Sequence, residues 1–153
     1  MKAKNSIKEA AAKARLEKKA DTGSKWLVQV PGTTKKWTNS PSDLLLLKEW
    51  IDTLGNYNES NIKQAISQMI AGEGKRSTNK YNNAPVQHAS SGSGSGGSGA
   101  CSLWFAEYPE YTLNLLAVGH HIESNTAKYE IDWTCGTDWP GGKVGATVGA
   151  SGG

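Results

Sequence analysis

Five side chains in the last third of the chain have the types that thiol hydrolysis needs: Cys101, His120, His121, Glu130 and Asp132. An imidazole beside a cysteine takes the thiol proton, the thiolate attacks a carbonyl, and a carboxylate on the neighbouring strand holds the imidazole in place. Their spacing allows it. With the turn of a hairpin centred near Asn125 and Thr126, His120 falls opposite Ile131, His121 opposite Glu130 and Asp132 opposite Gly119, to within about two residues. A preceding turn near Pro109 brings Cys101 close to Val118 or Gly119. All five then gather at one end of one sheet, with Cys101 as nucleophile, either histidine as base, and Asp132 or Glu130 as orienter.

The elements that would position them follow from pattern. Cys101–Ala106, Thr112–Glu123 and Ala127–Thr134 are rich in aromatic and branched residues and predict a three-stranded antiparallel meander. The Gly-rich tail after Gly136 needs a neighbour to hold it. Upstream, Lys25–Val30 and Lys35–Thr38 flank Pro31-Gly32 as a β-hairpin. Ser40-Pro41-Ser42-Asp43 starts a helix, which runs through Leu44 to Leu54 and stops at Gly55. Its four successive leucines predict the central helix of this half. Ile62, Ala65, Ile66, Met69 and Ile70 form an amphipathic stripe closed by Gly72. A capping box at Ser6–Glu9 opens a further helix to about Ala20.

Between the two regions lies Ser90–Gly99, ten residues of which none is apolar, read as a flexible crossover. Residues 1–89 carry fifteen Lys/Arg against eight Asp/Glu, whereas residues 100–153 carry two against six. The net charge of +3 conceals that asymmetry. The expected architecture is α+β: a basic helical N-terminal half with a short hairpin, packed on the acidic three-stranded sheet. It forms one domain over residues 1–153, or two parts, 1–89 and 100–153, if the tract is a boundary. Opposite charges and small separate cores favour one.

The pattern Gly119-His120-His121 followed by Tyr129-Glu130-Ile131-Asp132 is similar to papain-like and transglutaminase-like folds, over some thirty residues. That resemblance implies a cysteine hydrolase or acyl-transferring toxin domain. Those families place the cysteine at a helix start much further upstream, and Cys101 departs from that. Nuclease toxins of the HNH type share Gly-His-His but need a later histidine, and none follows His121.

Zinc held by Cys101, His120 and His121 is disfavoured because adjacent strand residues point to opposite faces. The expectation is no metal and no cofactor. Cys101 and Cys135 begin the first strand and end the third, too far apart for a disulfide.

A second cluster, Lys25, Trp26, Lys35, Lys36 and Trp37, interleaves cations with aromatic rings as nucleic-acid-binding surfaces do. The lysines of the first helix add to it. Charge asymmetry serves assembly equally well, through docking on a protein partner or a second copy. The leading expectation is a non-catalytic binding or assembly module, with the cysteine hydrolase and a nucleic-acid-binding module as alternatives. No apolar run is long enough for a membrane span and no signal segment opens the chain, so a soluble protein is expected.

Overall fold

The computed structural model describes residues 27–92, 99–122, 128–136 and 139–149. Among them are eight strands and two helices: β1 (Leu27–Gln29), β2 (Lys36–Thr38), α1 (Pro41–Asp52), α2 (Glu59–Ala71), β3 (Lys75–Tyr81), β4 (Ala84–Ser91), β5 (Cys101–Glu107), β6 (Thr112–His121), β7 (Lys128–Thr134) and β8 (Thr147–Gly149). All strands join one mixed sheet, in the order β2-β1-β6-β5-β4-β3, with β7 also on β6 and β8 on β7. β6 is the hub. Along one edge it pairs with β5. Along the other, its first residues, Thr112–Asn114, run parallel to β1, and its last, Ala117–His121, run antiparallel to β7.

This corrects the expected architecture. The basic half is not a helical layer, since it supplies β1 to β4 as well as both described helices. The expected meander is β5-β6-β7, the middle of a larger sheet that β1 makes mixed. The physical reason lies in β3 and β4. Edge strands need few apolar residues because one side stays wet, and β3 reads Lys-Arg-Ser-Thr-Asn-Lys-Tyr. Asn82 and Asn83 join β3 to β4 with φ of 50° and 66°, the backbone of a two-residue hairpin turn. Ser90 and Ser91 belong to β4, and Ser91 pairs with Cys101, so the Gly/Ser tract begins inside a strand. Its residues 93–98, the first predicted helix, Lys25 and Trp26 lie outside the described residues.

Each sheet face has its own core. On one, α1 and α2 cover Val28, Leu103, Phe105, Leu115 and Val118. The α2 stripe Ile62, Ala65, Ile66, Met69 and Ile70 is fully or almost fully buried, and Gly72 caps the helix at φ 74°. The leucine-rich α1 is less central than its composition suggests. Leu47 and Ile51 are buried, whereas Leu45 and Leu46 are about half exposed. Ser40 caps this helix by accepting from Asp43 N, and Pro41 takes the first position. On the opposite face Trp104, Leu116, Tyr129 and Ile131 pack under Trp139 and Val148, so the Gly-rich tail finds its neighbour there.

Two contacts fix β6 and β7 where the chemistry lies. Trp50 of α1 sits between Trp37 and Trp133, with ring centroids 5.3 and 5.0 Å away, and so ties β7 to the helical layer. Buried Asn114 donates to Ala106 O and Tyr108 O and accepts from Gln29, joining β1 to the β5–β6 turn.

Candidate functional site

β6 and β7 end in the register His120↔Glu130 and His121↔Tyr129, one residue from the expected pairing. The shift is a bulge between Val118 and Gly119, which also sets which side chains share a face. Directly paired residues share one, so His120 and Glu130 lie together. His121 instead stacks on Tyr129, centroid to centroid 4.7 Å. The two adjacent histidines therefore leave the strand on opposite faces.

His120 Nδ1 and Asp132 Oδ2 are 2.8 Å apart, with the side chains 28% and 14% exposed. A carboxylate only accepts, so Nδ1 carries the proton and Nε2 is the nitrogen left to take one. Asp132 Oδ2 also accepts from the Tyr57 hydroxyl at 2.6 Å. Burial, then the hydrogen bond to Asp132 and its charge, push the Tyr57 hydroxyl above the usual phenol range, so it stays a donor. Tyr57 comes from the α1–α2 connection, and Gly55 makes room for it. A Cβ at Gly55 would meet the Tyr57 ring at 2.7 Å and Asp132 Oδ2 at 3.1 Å.

These groups border a recess of about 270 Å3, lined by Gly55, Asn56, Gly99, Ala100, His120, His121, Glu130 and Asp132. Asn58 N donates to Gly99 O at 2.8 Å, which docks the start of α2 against the entry to β5. Glu130 offers a carboxylate oxygen within 4.8 Å of ligand atoms on His120 and Asp132.

The cysteine lies in the same neighbourhood but not in the same state as a catalytic thiol. Cys101 precedes Ser102, which pairs with Gly119, and His120 follows Gly119. It is fully buried in the helix-side core, and burial together with the charge of Asp132 pushes its thiol up to about 12. At neutral pH the thiol therefore stays protonated. Neither cysteine forms a disulfide.

Of the basic aromatic cluster, Lys35 and Lys36 are exposed on the hairpin, but Trp37 is 8% exposed and packs inward against Trp50. Its ring is not offered for base stacking. Lys35 Nζ lies 5.8 Å from the Trp50 ring centroid.

The sequence pattern brought out His120, Glu130 and Asp132, which the structure places together. It did not bring out Tyr57, 75 residues away from Asp132, because Gly55-Asn56-Tyr57-Asn58 reads only as a helix stop. No family model, curated protein or solved structure matches this chain. No described helix is long and apolar enough to cross a membrane.

Proposed function

We propose that this protein is a small hydrolase of acyl compounds, esters or activated amides, with His120 as general base and Asp132 as its orienting partner. The supporting observation is the 2.8 Å contact from Nδ1 to Oδ2 at the edge of a recess, with Asp132 itself held by Tyr57. A water gives its proton to Nε2 as it attacks the carbonyl, and Asp132 stabilises the imidazolium that forms; the tetrahedral intermediate then breaks its bond to the leaving group, which departs with the proton returned from Nε2. Water is preferred to Cys101 as nucleophile because the thiol is buried and protonated.

Turnover of p-nitrophenyl acetate and longer acyl esters tests this. His120→Ala is expected to lower the rate by about 10²- to 10⁴-fold with the fold intact by circular dichroism. Cys101→Ala decides the nucleophile: retained turnover supports water, and loss with an intact fold moves the attack to the thiol. An inactive wild-type chain across the ester panel counts against the hydrolase.

A second reading, non-catalytic assembly, has its own support. Leu45 is half exposed and lines a trough of about 320 Å3 together with Pro41, Leu44, Lys48, Lys63, Ile66 and Ile70. A second copy of the chain is the partner this reading names. Sedimentation of wild type against Leu45→Glu tests it: a concentration-dependent dimer that the variant abolishes supports assembly, and a monomer at all concentrations removes it.

A further inference from the structure

The recess holds a third group that the proposed hydrolysis does not use. Glu130 stands opposite His120 in the β6–β7 register, on the same face as Asp132, and the three together are half-buried and open to the recess. One imidazole with two carboxylates is a ligand set for a first-row divalent cation, and the nitrogen favours zinc over magnesium. We infer that zinc binds between His120 Nδ1, Asp132 and Glu130, and that it switches His120 off as a base. The switching half of this rests on the hydrolase reading; the binding half stands without it.

The geometry is close to what zinc requires. Ligand atoms about 2.1 Å from a tetrahedral ion lie about 3.4 Å from one another. Here Nδ1 and Oδ2 are 2.8 Å apart, and one ring nitrogen of His120 and one oxygen of each carboxylate lie within 4.8 Å of one another. The His–Asp pair must open by about half an ångström and Glu130 must close by at most about 1.4 Å. A terminal rotation of a glutamate side chain supplies that.

The consequence follows from proton accounting. A neutral imidazole has one N–H. While Asp132 accepts from Nδ1–H, the lone pair is on Nε2 and can take a proton. When zinc takes the Nδ1 lone pair, the ring proton moves to Nε2 through solvent. Nε2 then becomes a donor and has no lone pair for water. No net proton is lost from the ring, and nothing is oxidised or reduced.

Isothermal titration of zinc into the full chain, with the histidine tautomers read by long-range ¹H–¹⁵N correlation, tests the inference. One zinc is expected to bind the wild type, to bind at least about 10-fold more weakly to Glu130→Gln, and to move the His120 proton from Nδ1 to Nε2. Cys101→Ala is expected to bind zinc as the wild type does, which separates this set from a thiol site. No binding, binding unchanged in a folded Glu130→Gln chain, or a zinc-saturated spectrum with the proton still on Nδ1 would each overturn it. Where the wild type turns over esters, saturating zinc is expected to suppress the rate, and unsuppressed turnover contradicts the switch. Failure of all ester turnover, with the tautomer shift present, overturns the hydrolase reading alone.

Discussion

His120 and His121 are neighbours in sequence and opposites in environment. On the helical face, His120 is about a quarter exposed and held by Asp132, which Tyr57 anchors in turn. On the other face, His121 stacks on Tyr129, and Tyr129 meets His88 edge-on at 4.4 Å. His88 in turn lies flat against Trp104 at 4.7 Å. The first arrangement sets an imidazole in the wall of a recess. The second buries a histidine as if it were an aromatic ring, and leaves His88 Nε2 and Trp104 Nε1 without hydrogen-bond partners. The same side-chain type is held by a hydrogen bond or packed as a ring according to whether a carboxylate or a ring faces it.

Changing the carboxylate breaks the first arrangement most strongly. Asp132→Asn removes the negative charge that would stabilise the imidazolium, and ester turnover should fall by about 10³- to 10⁴-fold while the melting temperature moves little. If the rate survives, the charge of Asp132 does not support the base.

The second arrangement shows itself through acid. Burial, then the charges of Lys75 and His121, push His88 down to about 4 from an ordinary 6.5. Between those values the unfolded chain binds a proton that the fold excludes. The stabilisation is therefore complete above about pH 6.5 and is lost as pH falls towards 4. About 3 kcal/mol is at stake by linkage. Urea unfolding from pH 7 to pH 4 should show that loss in the wild type, and His88→Phe should flatten it. An equal slope in both would mean that His88 is not excluded from protonation by the stack.

The boundary between the two faces is Gly119, at the bulge. A Cβ there would lie 2.1 Å from Glu130 O and 3.2 Å from the Trp104 ring. Gly119→Ala should cost about 2 kcal/mol or more in chemical denaturation and also lower turnover, because the β6–β7 register that pairs His120 with Glu130 must shift. A change in stability without any change in turnover would separate the bulge from the site. The smallest effect is Tyr57→Phe, which removes one donor to Asp132. It should cost about 1 kcal/mol and leave most of the stability unchanged in the same denaturation experiment.

Much of the α2 stripe, the Pro-Gly hairpin and the β5-β6-β7 order was legible, because apolar periodicity and turn residues act locally. β3 was not, since an edge strand of lysine, arginine, serine and asparagine has the composition of a loop. The parallel pairing of β1 with β6 joins residues some 85 positions apart and leaves no local mark. At the site, His120, Glu130 and Asp132 shared a strand pair that alternation could place, whereas the bulge at Gly119 moved the register by one. Tyr57 and the burial of Cys101 depend on how α1 and α2 settle on the sheet, which no spacing within the C-terminal segment encodes. The exposed Leu45 and Leu46 show the converse error: four leucines in a row suggested all-round burial, but only one face of α1 meets the sheet.

The proposed base depends on Asp132 holding His120 with its proton on Nδ1 and its lone pair on Nε2. A long-range ¹H–¹⁵N correlation spectrum of the metal-free protein at neutral pH reads this directly. The expected result is an Nδ1–H tautomer for His120 that Asp132→Ala, which leaves no acceptor, abolishes. A proton found on Nε2 in the wild type, or a tautomer indifferent to Asp132, would contradict it.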